Sequence, residues 1–127
     1  MTDTRVLLDS SVWITYLVSG EEQAAGYAEN DEMRKFTCAL SLFEIKKKML
    51  GVGIPRSERE SKLWFVKSNS EIVDVDSFLC EEAANNAIKH RLSLADAIIL
   101  TAAQQKSALL VTYDSHFHGI SGVRLLR

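Results

Sequence analysis

The chain has 127 residues, 46% of them hydrophobic and 25% charged, with one proline, six glycines and a net charge of −2. This composition fits one folded domain that buries roughly two thirds of its unfolded surface, and it excludes disordered and fibrous chains. It contains no apolar run near the roughly 20 residues of a membrane helix, too few cysteines for a disulfide scaffold, and an overall charge that disfavours non-specific nucleic-acid binding.

Residues 1–5 lead straight into a short apolar run and lack the basic start, longer apolar stretch and cleavage site of a secretory signal, so a cytoplasmic protein is expected. Residues 5–9, rich in β-branched and aliphatic side chains, predict a buried strand. Ser10 and Ser11 are good caps for a helix over 12–18 that Gly20 stops. An acidic helix follows over 21–32, then a second buried strand over 36–40. Ser41 opens a helix through Leu50 with Gly51 at its end, and Pro55 suits the first turn of another that runs to Lys67. Residues 71–76 predict a third strand, and 77–90 a helix with Phe78, Leu79, Ala83, Ala87 and Ile88 near one side. A further helix runs from Ser93 to about Gln105, a fourth strand covers 108–112, and a short final strand covers 123–126. Strands that are apolar on both faces and alternate with helices indicate the α/β class, a parallel sheet covered on both sides. No linker or repeat breaks the chain, so 1–127 reads as a single domain.

Four carboxylates stand at element ends. Asp9 closes the first strand and Asp114 follows the fourth, so a right-handed parallel sheet brings both to its carboxyl edge, where ligands bind in such folds. Glu44 stands in the first turn of the helix after the second strand and can reach the same edge. Asp96 stands in the first turn of the helix opened by Ser93, between Leu94-Ala95 and Ala97-Ile98-Ile99-Leu100, where an isolated buried carboxylate is costly. Each acid also has a local structural reading. Ser41-Leu42-Phe43-Glu44 fits a capping box flanked by Leu40 and Ile45, Ser93-Leu94-Ala95-Asp96 is a weaker version, Asp9 can cap the next helix, and Asp114 can make an Asx-turn. As a set, clustered carboxylates repel unless a cation offsets them. Hard oxygen ligands around an open position suit Mg2+ or Mn2+, and such ions activate water for phosphodiester hydrolysis.

The segments Val6-Leu7-Leu8-Asp9-Ser10-Ser11-Val12, Ala39-Leu40-Ser41-Leu42-Phe43-Glu44-Ile45, Leu94-Ala95-Asp96-Ala97-Ile98-Ile99 and Leu110-Val111-Thr112-Tyr113-Asp114-Ser115-His116-Phe117 together resemble the four motifs of the PIN-domain nucleases. The nearest resemblance in size and layout is to the VapC-like toxins of VapBC toxin–antitoxin pairs. It spans essentially the whole chain. The resemblance implies a three-layer domain with about five parallel strands between helices, and a metal-dependent endoribonuclease that uses a metal-activated water and one or two Mg2+ or Mn2+ ions. It implies Asp9 and Asp96 as the direct metal ligands, Glu44 binding through water or positioning the nucleophile, and Asp114 completing the site. Ser10 and Thr112 would support these acids. It also implies a cognate antitoxin and a homodimer as partners; a stand-alone RNA-processing nuclease is the alternative within the family. The chain departs from some relatives in lacking an acid just after Asp114, where Ser115, His116 and Phe117 stand, and this weakens the case for a full second metal position.

The net charge conceals a strong asymmetry. Residues 46–67 hold seven basic and two acidic side chains, for +5, which leaves −7 for the rest. A solvated helical face is one reading of this. Beside Glu44 the charge would instead attract RNA phosphates, with Lys46, Arg56 and Arg59 as contacts. His116 and His118, flanking Phe117, offer a ligand pair or a general base, but two histidines on a polar loop are more often surface residues; His90 reads as a helix C-terminal residue favoured by the dipole, and Cys38 and Cys80 as core residues. Trp13, Tyr16, Leu17, Trp64 and Phe65 are core or a partner surface. A signalling receiver domain shares the α/β layout and an acidic Mg2+ site. It needs an aspartate ending the central strand and a lysine following a later one; Val75-Asp76 leads into a helix here, and no lysine closely follows the fourth strand. A binding module without activity is opposed by the intact set of four acids.

Overall fold

The computed structural model describes residues 4–127; residues 1–3, part of the stretch read as carrying no secretory signal, lie outside it. Five strands, β1 (Arg5–Leu8), β2 (Arg34–Cys38), β3 (Glu71–Val73), β4 (Leu109–Thr112) and β5 (Val123–Leu125), form one sheet in the order β3-β2-β1-β4-β5, and every pairing is parallel. The helices are α1 (Ser10–Ile14), α2 (Glu22–Ala28), α3 (Ala39–Gly51), α4 (Arg56–Ser68), α5 (Ser77–His90) and α6 (Leu94–Gln105). A π-helical turn, Thr15–Ser19, extends α1 until Gly20 ends it in the left-handed conformation at φ 65°. No helix of the described residues is long and apolar enough to cross a membrane.

The α/β three-layer architecture is the one expected. Its two cores follow from the two-residue period of β1. Leu7 joins Phe36, Leu79, Ile99, Leu100 and Leu110 under α5 and α6, whereas Val6 and Leu8 join Val12, Trp13, Ile45, Met49 and Val66 under α1, α3 and α4. The chain leaves β1 toward β2 and β3, then returns to place β4 on the other side of β1. That reversal makes the crevice above β1 and β4 the topological switch point.

Several elements differ from their predicted limits. The second strand is Arg34–Cys38 rather than 36–40, because α3 already begins at Ala39 with Cys38 as its N-cap. Ser41 therefore lies inside the first turn, completely buried, and its hydroxyl has no hydrogen-bond partner among the described residues, so the capping box does not form, and Leu40 and Ile45 belong to different cores. On α5 the buried stripe is Leu79, Ala83 and Asn86. Phe78 and Ile88 are 64% and 84% exposed, because Ile88 stands half a helical circumference from Leu79. Asn86 is buried through bonds to Thr101 Oγ1 and Gln104 Oε1, each 2.8 Å. Cys38 is core as expected, but Cys80, next to Leu79 and off that stripe, is exposed. Among the aromatic residues Trp13 is fully buried, with its indole N–H donating to Thr37 Oγ1 at 3.0 Å, while Trp64 is 69% exposed.

Candidate active site

Asp9 ends β1 at the switch point and is only 7% exposed. Its Oδ1 accepts from the Ser10 amide at 2.8 Å, and its Oδ2 accepts from Ser11 Oγ at 3.0 Å and Thr112 Oγ1 at 2.7 Å. Asp9 thus caps α1 from the carboxyl end of β1. Burial pushes its pKa up, the three hydrogen bonds pull it down, and the Asp114 charge pushes it up again.

Glu44 reaches the same place from the second turn of α3. Burial raises its pKa, a hydrogen bond with the Ser10 side chain lowers it, and the charges of Asp9, Asp96 and Asp114 raise it. Four carboxylates drawn from β1, α3, α6 and the end of β4 therefore share one electrostatic environment. Asp96 arrives because α6 starts at this edge, capped by Ser93, and runs back toward the beginning of β4. Asp114 is fixed by its amide, which donates to Thr112 Oγ1 at 2.9 Å, and by accepting the His116 amide at 2.9 Å in the expected turn.

His116, read from sequence as a surface residue, is indeed 74% exposed, yet its Nδ1 stands 3.3 Å from Asp96 Oδ2 and 3.2 Å from Asp114 Oδ1. The short 3-10 turn Ser115–Phe117, anchored by buried Phe117, holds it there. Ser11 is a second residue that sequence reasoning missed. Besides Asp9 it contacts Thr112 Oγ1 at 3.3 Å and accepts the Tyr113 amide at 3.0 Å, so it ties α1 to β4. Its place two residues after Asp9 was a usable signal, but the Ser10-Ser11 pair suggested only helix capping.

Five of the seven basic residues of 46–67 fall into two groups. Lys47 and Lys48 line a cleft with Ser10, Glu44, Phe43 and Val52, and the Lys47 ammonium lies 6.0 Å from the Phe43 ring centroid. Lys46 lies on the opposite flank of α3, in a hollow with Arg56 and Arg59. There Arg56 pairs with Glu60 at 2.9 Å, and Arg59 donates to the Ile54 carbonyl. The structure thus places the three predicted RNA contacts together, but in a hollow whose lining includes none of the four acids.

The ion pairs among the described residues set no lysine or arginine against any of the four acids; only His116 meets two of them. Oxygen donors of one sign, one of them buried and cation-free, fit a divalent cation. Asp96, Asp114 and His116 each offer a ligand atom within 4.8 Å of the others.

The family model described as PIN domain matches residues 6–123. Similar solved structures include a toxin-antitoxin complex from Klebsiella pneumoniae (TM-score 0.78, 24% identity, 94% of this chain and 95% of that one). VapBC2 from Rickettsia felis, bound to a DNA fragment from its promoter, matches with TM-score 0.71 and 19% identity over 97% and 98%. Mycobacterium tuberculosis VapC20, a Sarcin-Ricin loop cleaving toxin, matches with TM-score 0.69 and 17% identity over 91% of each chain. No curated protein sequence matches.

Proposed function

The chain belongs to the PIN domain family, and from that premise we propose that it is a divalent-metal-dependent endoribonuclease, the toxin half of a toxin–antitoxin pair. In this reading all 127 residues act as one cytoplasmic domain, and Asp9, Glu44, Asp96 and Asp114 hold Mg2+ or Mn2+. The observation that carries the reading is the buried carboxylate of Asp9 beside Glu44, which feels the charges of Asp9, Asp96 and Asp114, with no lysine or arginine among the described residues ion-paired to any of the four.

Bound there, a dication supplies the Lewis acidity that polarises a phosphodiester and makes water nucleophilic near neutral pH. The protein groups supply position and proton transfer. Thr112 and Ser11 orient Asp9 through its Oδ2, so the carboxylate need not reorganise when substrate arrives. Glu44, whose pKa burial raises toward the working range of a base, is steadied by the Ser10 side chain and takes up the proton of the attacking water. Lys47 and Lys48 attract the flanking phosphates along the cleft beside it. The similarity to a toxin that cleaves the Sarcin-Ricin loop makes RNA the substrate to test first. Similarity to toxin-antitoxin complexes, with Trp64, Phe43, Leu50 and Val52 all at least half exposed, supports an antitoxin that covers apolar surface and a homodimer.

Purified protein should cut structured RNA with Mg2+ or Mn2+, and EDTA should stop it. Asp9→Asn and Asp96→Asn should each lower kcat by roughly a hundredfold or more while circular dichroism stays native-like. Equal cutting by wild type and both variants would overturn the assignment. A cognate antitoxin, encoded in the neighbouring reading frame, should co-purify with the protein and suppress cleavage.

A further inference from the structure

His116 occupies a position that suits a metal ligand better than a surface residue. Its Nδ1 is nearly equidistant from one oxygen of Asp96 and one of Asp114, at 3.3 and 3.2 Å. Six-coordinate ions with ligand bonds of about 2.1 Å place neighbouring ligand atoms roughly 3 Å apart. The two distances therefore correspond to adjacent positions around one ion, and the three residues are drawn from two separate elements, α6 and the turn after β4. The ring is not there for packing, since His116 is 74% exposed while its neighbour Phe117 carries the turn into the core. The backbone reinforces the geometry: the His116 amide donates to Asp114 Oδ1, so the same carboxylate that meets the ring also fixes its position.

We propose that His116 Nδ1 is a nitrogen ligand to a divalent ion shared with Asp96 and Asp114, and that it biases the site toward a first-row transition ion such as Mn2+ over Mg2+. Magnesium prefers oxygen donors and retains its waters, whereas imidazole suits ions of the transition series. The acids alone do not discriminate between them; the single nitrogen does. The inference rests on reading this edge as a divalent metal centre, and it is independent of which RNA is cut.

The test uses the full chain and Mn2+ as a paramagnetic probe. Pulsed electron paramagnetic resonance of the Mn2+-loaded wild type should show 14N modulation from a directly bound imidazole, and His116→Ala and His116→Gln should each lose it. Calorimetric titration should show Mn2+ affinity falling about tenfold or more in both variants, the range seen when groups that tune a metal site are removed. Mg2+ affinity should change by less, so that the preference for Mn2+ narrows. Wild-type Mn2+ without nitrogen modulation, or an unchanged Mn2+ to Mg2+ ratio in His116→Ala, would overturn the proposal. Neither readout needs RNA. Nitrogen-bound Mn2+ in a protein that cuts nothing would sink the nuclease reading alone, and metal-dependent cleavage without nitrogen modulation would sink the His116 assignment alone.

Discussion

Asp9 is held by three short hydrogen bonds and is still raised in pKa, because burial of the charge outweighs the donors that solvate it. The sign of the consequence follows from linkage. Its folded pKa lies above the unfolded value of 3.8. The stability it confers is therefore fully present below 3.8 and is lost as pH rises through the folded pKa. Glu44 is shifted in the same direction. In EDTA, the unfolding free energy of wild type minus that of Asp9→Asn should fall as pH rises above 3.8 and level off above the folded pKa. Urea midpoints across that range measure it, and millimolar Mn2+ should reverse the fall by binding the folded state. A flat difference would mean that Asp9 is not destabilised by its surroundings. The acids themselves were legible in the sequence because carboxylates at strand and helix ends stand out against apolar flanks. Ser11 and His116 were not, since a hydroxyl or an imidazole on a polar turn has no local feature that separates a solvent-facing side chain from one aimed at a site.

Helix α3 shows how a shift of two residues changes what a side chain does. With the helix starting at Ser41, the hydroxyl caps it and Ser41→Ala costs about 1 kcal/mol. The helix starts instead at Ala39, so Ser41 shares the buried stripe with Ile45 and Met49 and its oxygen is unsatisfied. Ser41→Ala should therefore stabilise the protein by about 1 kcal/mol by removing an unpaired buried polar atom, measured as a higher urea midpoint at unchanged slope. A loss of similar size would restore the capping role. The same stripe explains the lysines. Glu44 and Lys48, four residues apart, share one flank of Ile45, and Lys46 stands on the other. That separation was contained in the spacing, but reading it required knowing which face is buried.

Across the molecule, charge is sorted by place and not by total. The acidic edge and the Lys47–Lys48 flank adjoin, whereas the Lys46, Arg56 and Arg59 hollow is lined by other residues. Lys46→Ala and Lys48→Ala change the net charge equally, so a long-range field would feel both alike. Contact with phosphate would not: Lys48→Ala should reduce the slope of log binding constant against log salt by about 1, and Lys46→Ala should leave it nearly unchanged. Binding of a catalytically inactive Asp96→Asn protein to RNA over a salt series checks this, and equal slopes for the two lysine variants would refute the division.

The α/β class, the element order and the four acids at element ends follow from local patterning, because apolar period and terminal polar residues are properties of neighbouring positions. The switch point between β1 and β4, the arrival of Asp96 beside Asp114, the turn of His116 onto both and the burial of Ser41 do not. They depend on strand order and on the rotation of each helix about its own axis, which long-range packing decides. A one-dimensional pattern shows that a helix has an inner face; only the packed core determines what that face, and the residues beside it, will meet.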